Sequence, residues 1–337
     1  MKIYHISHTD LDGYACQFVA NSFIKIDGFL NSNYGKEIDD KFRLALDKIG
    51  SEEGLILITD LNLTFLQAEK FEELAAKQGV KLLLLDHHKT GKDSEAKFPW
   101  YYLDEERCAT KITYDFFAKI YGENEQLSRF VEVVNAVDIW LSDDPNFELG
   151  KVCMGLISLS KEVNKILFEK EHTDYIFYLL EKMSEFVGEE EAHIKLDNAS
   201  HAIKKEFFKA QKDDTLANLI SAFLVKLLTA QKERLSVEYN GYKGLLTHNI
   251  GNISVVGNEF LLENEDFDFF MDVTSKKTIS FRSNDKVDVS QMAGVLLGGG
   301  GHANAAGGFF SGFKECYDYE SVKRQIVGLI ESKKSYF

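Results

Sequence analysis

At 337 residues, with 39 basic against 54 acidic side chains, the chain carries a formal charge of −15. A surface this acidic, with no Lys/Arg-rich run to offset it, repels a polyphosphate backbone and excludes long nucleic acid as a partner; a nucleic-acid substrate would have to be short and held by metal ions and a few cations. The length admits two domains with sizeable cores, and 45% hydrophobic with 28% charged residues describes a globular protein rather than a disordered one.

The amino terminus lacks the basic, apolar and small-residue pattern of a signal peptide. The most apolar helical stretch, 217–230, is too short for a bilayer span and contains Lys226, so the expected setting is cytoplasmic, with no membrane partner. Cys16, Cys108, Cys153 and Cys316 are scattered without a C-x-x-C pair, which fits reduced thiols buried as small hydrophobes.

Lys2–Ser7 reads as a strand that runs into His8-Thr9-Asp10-Leu11-Asp12-Gly13. Continued strand geometry would put His8, Asp10 and Asp12 on one side. An imidazole and two carboxylates crowded there repel and desolvate one another unless a cation lies between them. Oxygen ligands mixed with imidazole suit Mn²⁺ or Mg²⁺, with Zn²⁺ or Fe²⁺ as alternatives. The simpler reading is a polar loop with Asp12 as an N-cap.

Apolar residues at helical spacing (Ala15, Phe18, Val19, Phe23) predict a helix packed on that strand, and 39–49 predicts another. The continuous apolar run Gly54–Thr59 reads as a strand buried on both faces, ending at Asp60. Thr64 and Gln67 form a capping-box pattern, and Gly79 is placed to close that helix. Val80–Leu85 is a second apolar run, ending at Asp86-His87-His88. Three strands thus deliver metal-capable side chains at their carboxyl ends, where open α/β sheets bind ligands.

Thr110 is placed as the N-cap of a helix to Tyr121, and the apolar segment 130–136 leads to Asp138. From 156 to 235 only helical periodicity is visible, over 156–171, 175–187, 189–211 and 216–232. His172, His193 and His201 fall here without partners at ligand spacing and read as surface or half-buried residues. Short strands follow at 242–247, 267–273 and 278–281, the last ending at Arg282, and then a helix at 289–297. The next residues are Gly298-Gly299-Gly300-Gly301-His302. Consecutive glycines let backbone amides approach an anion, so this run reads as a phosphate cradle.

Taken together, H-x-D-x-D-G at 8–13, Asp60, Asp86-His87-His88, Asp138 and G-G-G-G-H at 298–302 resemble, in order, the motifs of the DHH phosphoesterase superfamily with a DHHA1 carboxyl-terminal domain. The opening is most similar to nanoRNA-degrading phosphodiesterases of the oligoribonuclease B type. Many relatives place two more residues between the first histidine and aspartate; the shorter spacing here occurs in other branches. The resemblance implies an α/β fold: a parallel-sheet catalytic domain (1–155), a helical bracing region (156–235) and a smaller α/β substrate-binding domain (236–337).

The resemblance also implies two divalent ions, usually Mn²⁺. His8 and Asp10 would hold one, and Asp12, His87 and Asp138 the other, with Asp60 bridging. His88 would face the substrate phosphate and Asp86 would support the histidines. Arg282, His302 and the loop Gly299, Gly300 and Gly301 would bind the nucleotide phosphate. The implied reaction is hydrolysis of short oligoribonucleotides, including linear dinucleotides, and of 3′-phosphoadenosine 5′-phosphate. Cyclic dinucleotide hydrolysis and a catalytically silent nucleotide-binding module are the alternatives, and the resemblance leaves room for a homodimer.

Overall fold

The structure is a computed structural model that describes residues 1–210 and 213–334. It contains two compact units: Met1–Ser160 with Ile176–Ile203, and Lys161–Tyr175 with the chain from Lys204 on.

In the first unit, five parallel strands stand in the order β2-β1-β3-β4-β5. They are β1 (Lys2–Ser7), β2 (Gly28–Asn31), β3 (Gly54–Thr59), β4 (Lys81–Asp86) and β5 (Tyr101–Leu103). The intervening helices are α1 (Leu11–Phe23), α2 (Lys36–Ile49), α3 (Phe65–Gln78) and the short α4 (Lys92–Lys97). Alternate residues of the strands feed two cores. Ile6, Ile56, Ile58 and Leu84 pack with Phe42 of α2 and Phe71 of α3, whose rings stack 3.8 Å apart. Leu57 and Leu85 face the other way, onto Ala20 of α1 and onto Ile112 and Phe117 of α5 (Ala109–Tyr121). Burial on both faces explains why these strands read as unbroken apolar runs. The expected capping box at Thr64 and Gln67 is present, and Gly79 closes α3 in the left-handed region at φ 70°.

Three local expectations are corrected. The strand ends at Ser7, and Asp10 rather than Asp12 caps α1, its side chain accepting from the Gly13 amide at 3.0 Å. Asp12 therefore lies inside a helix, and the alternation of His8, Asp10 and Asp12 along a strand does not occur. The cap of α5 is Cys108, whose sulfur accepts from the Lys111 amide, and Thr110 is the second residue of the helix. No helix spans 156–171, because α7 (Phe147–Leu159) ends before an Asx turn. In that turn the Asn164 side-chain oxygen accepts from the amides of Ile166 and Leu167, diverting the backbone before α8 (Glu169–Ser184).

Between α5 and α7 lies α6 (Glu125–Asp138), and α8 is followed by α9 (Ala192–Phe208); residue 211, the expected end of that helix, lies outside the described residues. His172 is buried, its ring on the Val163 carbonyl, rather than half-exposed.

The second unit contains α10 (Leu216–Ala230), α11 (Lys232–Leu235), β6 (Ser236–Tyr239), β7 (Tyr242–His248), α12 (Ile253–Glu263), β8 (Phe269–Val273) and β9 (Thr278–Ser283). It continues through α13 (Val289–Leu297), β10 (Gly300–His302), β11 (Ala305–Phe309) and α14 (Tyr319–Lys334). Its six strands form a mixed sheet in the order β10-β11-β9-β8-β7-β6, in which only β7 and β8 are parallel. The molecule is thus α/β throughout, with one parallel and one mixed sheet. Among the described residues no helix is long and apolar enough to cross a membrane.

Candidate metal centre

Strands β1, β3 and β4 are neighbours, so the residues that leave their carboxyl ends converge. Hydrogen bonds fix those ends. Ser7 donates to the Thr59 carbonyl at 3.1 Å and pairs with its hydroxyl at 2.7 Å, while buried His5 meets the same hydroxyl at 2.8 Å. The Asn31 side chain donates to the His8 carbonyl at 3.1 Å. Gly13 is needed here for space: a Cβ would lie 2.4 Å from the His8 carbonyl oxygen, so α1 can fold back over His8 only without a side chain at that position.

Asp60 stands at the middle of the cluster. Its Oδ2 lies 3.7 Å from His8 Nδ1 and its Oδ1 3.4 Å from His87 Nε2, so one carboxylate faces two separate groups of donors. His8 Nδ1 also pairs with Asp10 at 2.8 Å. His87 Nε2 lies 3.8 Å from Asp12 Oδ2 and 3.6 Å from Asp138 Oδ2. The six side chains expected as metal ligands are therefore gathered around one point, on the two sides of Asp60.

His88 also brings a ring nitrogen within 4.8 Å of ligand atoms of Asp60 and His87, but both of its nitrogens already have partners. Its Nδ1 pairs with Asp86 at 2.7 Å and its Nε2 with the Tyr34 hydroxyl at 3.1 Å. Asp86 accepts in turn from the Tyr101 hydroxyl at 3.3 Å, so it supports His88.

The electrostatics of the cluster are unfavourable as they stand. Burial, then the charges of Asp12, Asp10, Asp138 and Asp86, push the Asp60 carboxyl well above the usual range. Burial, then Asp12 and Asp10, push Asp138 up to about 9. For Asp10, burial acts in the same sense, but hydrogen bonds from His8 and Gly13 outweigh it and hold the carboxyl low. Burial alone would lower the His88 imidazole, and its bond to Asp86 raises it instead. Asp60 Oδ2 and Asp138 Oδ2 are buried without a hydrogen-bond partner, a cost that folded proteins rarely leave unpaid. Asp60 also holds φ at 52°, in the left-handed region. Carboxylate oxygens and imidazole nitrogens with two orphaned buried oxygens among them fit a divalent cation, the charge that would reverse each of these penalties.

Two participants, Tyr34 and Cys108, and a second role of Asp12 escaped the sequence reading. Tyr34 covers His88 and lies 5.2 Å from the His8 ring. The Cys108 sulfur lies within 4.8 Å of carboxylate oxygens of Asp12 and Asp138, so this thiol is more than a small buried hydrophobe, and Cys316 is only partly buried. Asp12 accepts the amides of Ala109 and Thr110, each at 2.8 Å, and so holds the amino terminus of α5.

The residues expected to bind substrate lie in the second unit. In the ladder, His302 pairs with Ala305 and Ala305 with Arg282, so all three occupy one row and share a face. Arg282 donates to Ser254 Oγ at 2.8 Å and to the Phe281 carbonyl at 2.7 Å. The glycine run is not a helix amino terminus. Gly298 closes α13 at φ 65°, and the run continues as the edge strand β10. A Cβ at Gly299 or Gly301 would lie 2.2 Å or 2.5 Å from a carbonyl oxygen of β11, so hairpin packing itself requires these glycines. Gly300 alone of the three has open space beside it.

No protein-family model matches the chain. It is 41% identical over 340 residues to a 3′,5′-cyclic-nucleotide phosphodiesterase of Helicobacter pylori strain 26695, across 97% of this chain and 98% of that protein. It is 25% identical to the oligoribonuclease NrnB of Bacillus subtilis, across 90% of this chain and 72% of that protein. An uncharacterized protein from Helicobacter pylori G27 has a crystal structure that matches with a TM-score of 0.88 and 40% identity, covering 98% of this chain and 99% of that one. With these relatives, and with the five motifs in their places, the chain belongs to the DHH superfamily of phosphoesterases and is a hydrolase of phosphodiesters.

Proposed function

We propose that this chain is a metal-dependent phosphodiesterase of small nucleotides, with His8, Asp10, Asp12, Asp60, His87 and Asp138 holding two divalent cations, Mn²⁺ first among them. The observation that carries this reading is the pair of buried, unpartnered oxygens on Asp60 and Asp138, facing His8 and His87. Bound there, divalent cations supply Lewis-acid stabilisation of phosphoryl charge and an acidified water.

The chain's own groups would do the rest. Asp60, shared between the two sides, fixes their spacing. Asp86 accepts the proton on His88 Nδ1, which aims Nε2 away from Asp86. Once the Tyr34 hydroxyl gives way, Nε2 can hydrogen-bond a phosphate oxygen or give a proton to the leaving 3′-oxygen. Arg282, with His302 and Gly300 on the same edge of its sheet, would bind a phosphate through charge-assisted hydrogen bonds.

A 3′,5′-cyclic nucleotide is the substrate class favoured by the relative of that name, which matches nearly end to end. Short linear oligoribonucleotides are the second reading, favoured by the NrnB relative and by the His8–Gly13 motif. The test is one preparation stripped of metal and restored with Mn²⁺. It would be assayed on cyclic AMP, a linear dinucleotide, five-nucleotide RNA, 3′-phosphoadenosine 5′-phosphate and a cyclic dinucleotide. Hydrolysis that returns with the ion and is fastest on cyclic AMP supports the first reading. Turnover of the linear diesters alone transfers the assignment to the second. Bound metal with no hydrolysis of any of them would leave a silent nucleotide-binding module.

A further inference from the structure

Trp140 occupies a position that usually belongs to glycine. Helix α6 ends at Asp138, and the chain then closes a Schellman turn: the Leu141 amide donates to the Ala136 carbonyl at 2.8 Å and the Trp140 amide to that of Val137 at 3.4 Å. This turn needs its middle residue in the left-handed region, and Trp140 holds φ at 59°. Glycine or asparagine meets that requirement with little strain, whereas a bulky aromatic does not. The ring gains little from the fold in return. It is 63% exposed and touches the edge of Phe147, with ring centroids 5.1 Å apart and planes at 83°. Strain retained at an exposed aromatic suggests a use for the ring outside the fold.

Its place in the chain indicates which use. Asp138, two residues earlier, lies 3.6 Å from His87 in the proposed centre, and two residues span at most about 7 Å. A flat apolar surface beside a phosphate-hydrolysing centre suits a nucleobase, which every nucleotide substrate carries and which stacks on aromatics regardless of its identity. We infer that Trp140 is the platform on which a base of the substrate stacks, with Phe147 bracing the ring from the side. This inference rests on the phosphodiesterase reading and names the part of the site that would recognise a nucleoside rather than a phosphate alone.

The chain has two tryptophans, Trp100 and Trp140, so Trp100→Phe leaves Trp140 as the sole indole fluorophore. With Mn²⁺ present, adenosine 5′-monophosphate should quench its emission and ribose 5-phosphate, which lacks the base, should not. Trp140→Gly should weaken adenosine 5′-monophosphate about tenfold by calorimetry, as for loss of one base–aromatic stack, and leave ribose 5-phosphate unchanged. Trp140→Phe should recover most of that affinity. The unfolding midpoint of Trp140→Gly should be equal to or above that of the unsubstituted protein, because glycine takes the turn without strain. Equal losses for both probes, equal quenching by both, or unchanged nucleotide affinity in Trp140→Gly would each overturn the platform. A protein that hydrolyses none of the diesters above, yet shows base-dependent quenching, would overturn the substrate reading and uphold the platform.

Discussion

Asp60 carries two costs that the sheet does not demand, a left-handed backbone and a buried carboxylate oxygen without a partner. The core beneath it is built from Ile56, Leu57 and Ile58, so removing the Asp60 side chain should spare the fold. Asp60→Ala should therefore lose at least one bound ion and nearly all turnover while remaining folded in metal-free buffer. The adjacent histidines separate in the same assay. His87→Ala should lower metal content, because its Nε2 faces Asp12, Asp60 and Asp138 within 3.8 Å. His88→Ala should keep the metal and lose turnover, because both of its nitrogens are engaged by Asp86 and Tyr34. Elemental analysis with a parallel rate measurement checks all three, and equal metal loss in the two histidine variants would reassign His88. The ligand-capable residues were legible because acids and histidines at strand ends have few other uses. Tyr34 and Cys108 were not, since tyrosine and cysteine are common in cores and nothing in local spacing brings them to His88 or Asp12.

At the level of elements, buried apolar runs were readable, whereas the helices α7, α12 and α14 were not anticipated and the shortest strands gave no signal. Strands β3 and β4 announce themselves by four consecutive large apolar residues each, whereas β2 with four residues in all and β5 with three offer no period to detect. Asp12 shows a further limit, because its partners lie 97 and 98 residues away, at Ala109 and Thr110. Since both carboxylate oxygens cap α5, Asp12→Ala should cost about 2–4 kcal/mol of stability in metal-free protein, from losing charge-assisted bonds and stranding two buried amides. Denaturant unfolding would measure it against Asp60→Ala, and equal stability of the two variants would show that the cap contributes nothing. In the second unit, Asp272 on β8 accepts from the Ile250 amide at 3.1 Å and from Thr247 Oγ1 at 2.8 Å, yet burial outweighs both and raises its carboxyl from 3.8 to about 7. The folded chain thus holds this proton more tightly than the unfolded one. The resulting stability is fully present below pH 3.8 and is lost as the pH rises to about 7, up to about 4 kcal/mol in all. Asp272→Asn keeps an acceptor for both donors and should remove that slope, so the difference in unfolding free energy between the two proteins should grow across this window. A constant difference would mean that Asp272 is charged at little cost.

For the whole molecule, the decisive quantity is charge. A formal −15 offers no electrostatic track, so attraction to a substrate must come from bound cations and from a few basic groups. Arg282 is one of these: among the described residues no carboxylate pairs with it, and its bonds to Ser254 and Phe281 are to neutral oxygens. Favourable contacts are then confined to a few nucleotides around the scissile phosphate, and each further phosphate meets an acidic surface. The charge balance was legible from composition alone, but the sheet row that joins Arg282 to His302 through Ala305 depends on register and was not. Among linear RNAs, kcat/KM should be highest for two to about five nucleotides and fall for longer chains, with only a modest salt slope. Arg282→Ala should cost about 1–3 kcal/mol in kcat/KM and flatten the length preference, since it removes a charge-assisted bond to phosphate while leaving the repulsion in place. His302→Ala should act in the same direction if it reads the same phosphate. A length series on the three proteins at two salt concentrations decides the matter. Degradation of RNA of about two dozen nucleotides as efficiently as the dinucleotide, with a steep salt slope, would show that a basic path exists despite the net charge, and the preference for small diesters would fall with it.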